Sequence, residues 1–161
     1  YSIDIASAMV YLHDVNVIHR DLKCDNVLLN SDDVAKVADL GLARELDISN
    51  GMTLMAGTPK WEAPEVLVAK KGKRHYSSAV DVYSFAMVLY ELLTGEDPFA
   101  DIDDIFVLKK VVVDKHKRPK LPKKLPSGLS SLINKSWHKD PNKRPSFDTI
   151  KETLISIQES L

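Results

Sequence analysis

A mainly α-helical fold with one small β-hairpin and one long loop is predicted by three features of the sequence. Apolar residues recur at helical spacing in most segments. Only one pair of short β-type runs, Val27–Leu29 and Val34–Val37, is joined by turn residues, Asn30-Ser31-Asp32-Asp33. One helix, opening near Ser78 and ending at Gly95, is apolar on most faces and reads as a buried central spine.

The elements follow in order. Ile3, Ala6, Met9, Val10 and His13 share one face of a helix over residues 1–14, with no capping residue before it. The hairpin follows. Residues 42–60 hold Gly51, Gly57, Pro59 and several hydroxyl residues without periodicity, and read as a long functional loop. A short helix over Glu65–Lys70 has Pro64 near its start. Ser78-Ala79-Val80-Asp81 fits a capping box for the spine. Asp101–Asp114 reads as a further helix, with acids at its start and basic residues toward its end. Residues 115–126, rich in proline, lysine and arginine, read as an extended connection. Leu129–His138 and Phe147–Leu161 close the chain as helices, the second capped by Ser146. There is no internal repeat or low-complexity segment.

Composition narrows the function classes. The 161 residues suit about one domain. The net charge of −1 gives no global pull toward nucleic acid or an anionic membrane, so neither partner is expected. Phe85–Tyr90 is the longest unbroken apolar run, far short of the roughly 20 residues that span a bilayer. The opening Tyr1-Ser2-Ile3-Asp4 does not read as a signal peptide. The single Cys24 excludes an internal disulfide and a Cys-rich zinc site, and a cytoplasmic setting, or the cytoplasmic side of a membrane receptor, is expected. Cys24 reads as an unremarkable small residue; the alternative is a reactive thiol whose pKa the neighbouring Lys23 lowers.

One constellation carries chemistry. His19-Arg20-Asp21-Leu22-Lys23-Cys24-Asp25-Asn26 lies between the first helix and the hairpin, and Asp39-Leu40-Gly41 follows the second strand. Asp21 is a carboxylate able to accept a proton from a hydroxyl nucleophile. Lys23 offers a positive charge against developing phosphoryl charge. Asn26 and Asp39 offer hard oxygen ligands suited to Mg²⁺, and the hairpin returns Asp39 beside Asn26. Gly41 is expected to free the backbone for a turn after Asp39. An acid, a cation and two oxygen ligands around one point suit phosphoryl transfer. Taken singly, each of these Asp and Asn residues also fits ordinary turn chemistry.

These residues resemble the eukaryotic protein kinases. His19-Arg20-Asp21…Asn26 is similar to the family's catalytic loop and Asp39-Leu40-Gly41 to its metal-binding motif, with Leu in place of the usual Phe. Ala63-Pro64-Glu65 resembles the motif closing the activation segment, and Trp137…Asp140-Pro141…Arg144-Pro145 a C-terminal signature. Lys23 and Gly57-Thr58-Pro59 resemble serine/threonine kinases; Trp61 and Trp137 resemble the tyrosine-kinase-like branch.

The resemblance implies a kinase C-terminal lobe over residues 1–161, with the activation segment at 39–65. The parent domain would be α+β, with the N-lobe absent here together with its Gly-rich loop and strand lysine. It implies ATP and Mg²⁺ as cofactors in the complete kinase and Ser/Thr residues of protein substrates as acceptors. Asp21 would orient and deprotonate the hydroxyl, Lys23 would contact the γ-phosphate, and Asn26 and Asp39 would hold Mg²⁺. Leu28 would lie under the adenine, in an apolar stack with Val88 and Leu92; His19 and Leu40 would join the other stack. Thr58 would hydrogen-bond near Asp21, Glu65 and Arg144 would form a buried ion pair, and Asp81 would bind the catalytic-loop backbone. Arg20 would pair with a phosphate on Thr53, or on Ser49 as second candidate. The chain alone is expected to be inactive, to bind ATP weakly, and to expose apolar surface that favours dimerisation. A pseudokinase or scaffold lobe and a tyrosine or dual-specificity kinase are the alternative readings.

Overall fold

In the computed structural model, residues 1–42, 44–45, 58–69 and 77–161 are described. The fold is mainly helical, with a small β-hairpin, around a buried central helix. Helix α1 spans Ser2–Asp14 and strand β1 Val17–Ile18. A 3₁₀ turn, Cys24–Asn26, leads into the hairpin of β2, Val27–Leu29, and β3, Ala35–Val37. Strand β4, Arg44–Glu45, follows a 3₁₀ turn at Leu40–Leu42. A third 3₁₀ turn, Pro59–Trp61, precedes α2, Pro64–Val68, and α3, Ala79–Thr94. Helix α4, Ile105–Lys109, continues as a π turn over Lys110–Asp114. Helices α5, Leu129–Ser136, and α6, Phe147–Glu159, flank a 3₁₀ turn at Pro141–Lys143. No helix among the described residues is long and apolar enough to cross a membrane.

Helix α3 is buried from Val80 to Tyr90 without interruption, as its all-round apolar sequence requires. Gly95 ends it at φ 70°, a left-handed conformation that glycine adopts without steric cost. Helix α1 packs on α6 and β3, and α5 packs on α3. Phe147, at the start of α6, is the joint between layers. Its ring meets Phe85 edge-on at 5.4 Å and His13 of α1 at 5.0 Å, geometry that suits the aromatic quadrupole. Ser146 caps α6 through its Oγ, which accepts the Thr149 N–H at 3.3 Å.

The hairpin pairs Val27 with Val37, Leu28 with Lys36 and Leu29 with Ala35. Asn30 shapes its turn: its Oδ1 accepts the N–H groups of Asp32 and Val34, the local bonding that makes Asn a turn residue. Asp4 of α1 accepts the Ala35 N–H and fixes the hairpin against α1.

Four sequence expectations are corrected. Ser78 makes no capping bond and sits in helical conformation; Asp81, its supposed box partner, spends both oxygens on residues 13–20. Helix α4 begins at Ile105 rather than Asp101, because Asp104 accepts the N–H groups of Phe106 and Val107 and so sets the start. The 42–60 stretch contains β4, antiparallel to β1 with Val17 opposite Glu45, and the Pro59–Trp61 turn. Helix α2 ends at Val68, before Lys70.

Phe147→Ala is expected to cost about 3–5 kcal/mol, measured by denaturant unfolding, because the residue is 1% exposed and touches two layers. A loss below about 1 kcal/mol would mean that α6 packs independently of α1 and α3.

Candidate active site

The loop between β1 and the hairpin is organised by a carboxylate from the central helix. Asp81, fully buried, accepts the His19 N–H on Oδ2 and the Arg20 N–H on Oδ1, both at 2.9 Å. His13 Nε2 donates to Oδ2 at 2.9 Å. Three donors offset the cost of burying the charge. They also hold Arg20 at φ 72°, a conformation rare for a residue with a long side chain. Backbone strain of this kind persists only where surrounding contacts over-determine it.

His19 is committed at both ring nitrogens. Nε2 lies 3.0 Å from the Ala38 carbonyl, which only accepts, and Nδ1 accepts the Asp21 N–H at 3.3 Å. The pair of contacts assigns the Nε2–H tautomer. Its ring joins the loop to the end of β3.

Asp21 is fixed by three donors. Oδ1 accepts the Thr58 N–H at 2.9 Å and the Thr58 hydroxyl at 3.1 Å. Oδ2 accepts from Asn26 Nδ2 at 3.1 Å, and the same Nδ2 donates to the Asp21 carbonyl at 2.7 Å. A carboxylate offers about four lone-pair positions, so one stays free. Asn26 is buried, and its Oδ1 accepts no hydrogen bond among the described residues. Its carbonyl accepts the Ala38 N–H at 2.8 Å, which places Asp39 one residue beyond. Asp21, Asn26 and Asp39 are thus brought to one end of the hairpin.

Asp39 has φ 59°, which Asp tolerates better than most residues. The expected role of Gly41 is corrected: the left-handed residue is Asp39, and Gly41 lies in the following 3₁₀ turn. Its N–H donates to Asp39 Oδ1 at 3.3 Å, and a Cβ there would sit 3.1 Å from that oxygen. Glycine leaves room for the carboxylate.

Among the described residues no group of three His, Cys, Asp or Glu side chains forms a metal site. The oxygens of Asn26 and Asp39 suit a Mg²⁺ ion, which is commonly held by one or two protein ligands and completed by phosphate and water.

Lys23 Nζ lies 3.5 Å from Asp25, whose side chain is largely exposed; such a pair contributes little to stability. Leu28 is exposed on β2 and Leu40 half-exposed, while Val88 is buried and Leu92 partly exposed. Thr53, Ser49 and Gly57 lie outside the described residues, as do all of residues 46–57 of the 39–65 segment.

The segment after Thr58 is fastened to the helices in two places. The Trp61 carbonyl accepts the Ser84 hydroxyl at 2.9 Å, and Trp61 Nε1 donates to Glu91 at 3.2 Å. Glu65 meets Arg144 in a bidentate pair at 2.7 and 2.8 Å, and the guanidinium also donates to the Ala79 and His138 carbonyls. The Tyr83 ring is met by the guanidinium groups of Arg144, at 5.2 Å, and Arg118, at 5.0 Å. Burial pushes the Tyr83 hydroxyl above its usual range. The Ser84, Glu91 and Arg118 roles escaped the sequence reading, since each is a single tertiary contact with no local pattern.

The alternative reading of Cys24 as an activated thiol is corrected. Burial first, and the neighbouring Glu91 carboxylate second, push its thiol pKa up; Lys23 turns toward Asp25 instead.

An acid held by a threonine and an amide, near a second acid at the end of the hairpin, sits on this helical lobe. The chain belongs to the protein tyrosine and serine/threonine kinase family, whose model matches residues 1–154. A probable serine/threonine-protein kinase of Dictyostelium discoideum is 44% identical over 156 residues, 97% of this chain and 9% of that protein. Serine/threonine-protein kinase STY17 of Arabidopsis thaliana is 44% identical over 156 residues, 97% of this chain and 26% of that protein. Mitogen-activated protein kinase kinase kinase 12 of Rattus norvegicus is 40% identical over 150 residues, 93% of this chain and 16% of that protein. The chain spans about a quarter or less of the length of these relatives.

Two outcomes are expected. Glu65→Ala strands the buried guanidinium of Arg144 and costs about 3–5 kcal/mol, whereas the double variant Glu65→Leu/Arg144→Leu loses less than the sum of its singles in a denaturation cycle; strict additivity would show that the two residues act independently. Cys24 reacts with iodoacetamide at pH 8 far more slowly than free cysteine, because the raised pKa keeps the thiol protonated, and unfolding in urea restores the free rate. Equal rates in the folded protein would contradict the burial.

Proposed function

We propose that this chain forms the catalytic-loop half of a serine/threonine protein kinase that transfers the γ-phosphoryl group of ATP to Ser or Thr hydroxyls of protein substrates. The observation that carries the reading is the hold on Asp21: three donors fix its carboxylate, with one lone-pair position left over. An incoming hydroxyl donates to that position. As its oxygen bonds to phosphorus and the bond to the leaving phosphate oxygen breaks, Asp21 takes the proton. Thr58 holds Asp21 in line for this step and ties the acid to the segment that meets substrate. Lys23 supplies positive charge for the transferring group.

Asn26 and Asp39 would hold Mg²⁺ through oxygen atoms, and the ion, when bound with ATP, supplies charge neutralisation of the phosphate tail. Thr58 and Lys23 support hydroxyl specificity for Ser and Thr, in keeping with relatives named as serine/threonine kinases. The sequence contains no Gly-rich loop and no strand lysine of the kinase type, so residues 1–161 alone bind ATP weakly and are inactive.

In the full-length protein, Asp21→Asn is expected to lower kcat by about 10²–10⁴-fold while leaving the KM for ATP within a few-fold, measured by phosphate transfer to a generic protein substrate. Acid hydrolysis of the product is expected to yield phosphoserine and phosphothreonine. Unchanged transfer by Asp21→Asn, or phosphotyrosine as the sole product, would refute the reading.

A further inference from the structure

We propose that the cleft between the α3–α4 connection and the lysine-rich connection after the π turn docks a protein segment in which an apolar side chain is flanked by acidic residues. The cleft has a volume of about 470 Å³. Phe99 and Ile102 of the α3–α4 connection, Val111 of the π turn and Pro119 of the following connection give it apolar lining. Lys117 and Lys120 come from the connection after the π turn and Glu96 and Asp101 from the α3–α4 connection, all four exposed and lining the cleft.

The backbone around this cleft departs from regular geometry on both sides. Phe99 has φ 54° and His116 φ 51°; a bulky residue in the left-handed region is a genuine outlier. The π turn itself is a rare element, met often at functional sites. Such strain gathers at ligand clamps and binding sites. The walls are nonetheless held firmly. The Lys117 N–H donates to the Val111 carbonyl at 3.0 Å, and the Arg118 guanidinium donates to the Val112, Trp137 and Lys117 carbonyls. Arg118 is spent on shaping the wall, and the lysines remain for a ligand.

Charge selects the occupant. Residues 109–124 carry eight Lys/Arg against one acid, Asp114. Lys110, Lys115, Lys117, Lys120, Lys123 and Lys124 are exposed, and none has an ion-pair partner among the described residues. An anionic partner is therefore favoured at the lysines. A bilayer or a nucleic-acid backbone presents continuous negative charge, which Glu96 and Asp101 lining the same cleft repel. A polypeptide can set its carboxylates against the lysines only and seat an apolar side chain on the apolar lining. The site is separate from Asp21 and its partners, and the inference does not depend on the phosphoryl-transfer reading.

The test is fluorescence anisotropy on the full-length protein with a fluorescein-labelled peptide that carries one leucine between runs of Asp and Glu. Binding is expected, weakened at least about tenfold by Leu→Ser in the peptide and by Lys117→Glu/Lys120→Glu in the protein. It is also expected to weaken with added salt. Lys117→Gln/Lys120→Gln gives an intermediate loss and guards against misfolding of the charge-reversed variant, with far-UV circular dichroism reporting the fold of both. A peptide with Lys in place of its acids is expected not to bind. Equal binding by the charge-reversed variant, indifference to Leu→Ser, or capture of phosphatidylserine vesicles or single-stranded RNA in place of the peptide would each overturn the proposal.

Discussion

The Asp81 carboxylate is the constraint on which the site depends. It projects from the most deeply buried helix into the loop that holds Asp21 and Asn26, and it accepts two consecutive backbone N–H groups there together with the ring of His13. A buried charge without partners would be far too costly to keep; with three donors it becomes a fixed point. From it the chain of positioning runs outward. Arg20 is held in a left-handed conformation, Asp21 follows, and His19 reaches across to Ala38 beside Asp39. Asn26 then closes the arrangement by bonding both the backbone and the side chain of Asp21.

The second organising feature is the fastening of residues 58–65 onto the helices. Thr58 engages Asp21 at one end, and Glu65 engages Arg144 at the other. Between them Trp61 is pinned to α3 at both its carbonyl and its indole. The acid and the segment beside it are therefore referenced to the same central helix. Such rigid support is what the proposed transfer would require, since misplacement by about 1 Å can cost about a hundredfold in rate. The contacts of Tyr83 with Arg118 and Arg144 extend the same support to the connection after α4.

Much of this was legible in the sequence because it is local or strongly patterned. The all-round apolar α3, the Asn-led turn of the hairpin and the Ser146 cap depend on neighbouring residues, and each formed where the pattern placed it. The residues meeting at the end of the hairpin were legible through a motif and a simple topological argument. What the sequence concealed is tertiary. Local spacing alone casts Asp81 as a capping-box acid; the loop donors, toward which only the family resemblance pointed, take its oxygens and Ser78 is left without a capping bond. Strand β4 is two residues long and exists only because β1 lies opposite it. The left-handed Asp39 could not be told from Gly41, since a following glycine suggests the turn at the wrong residue. The thiol of Cys24 depends on burial and on Glu91, which its neighbour Lys23 does not reveal.

Amide hydrogen exchange at His19 and Arg20 addresses the role of Asp81 most directly. If the buried carboxylate holds the loop, both amides exchange only as slowly as the core of α3, and in Asp81→Asn at least one of them exchanges faster by orders of magnitude while the α3 amides stay protected. Exchange of the two amides in the unaltered protein at the rate of an exposed loop would contradict the account, whatever the remaining contacts of the site.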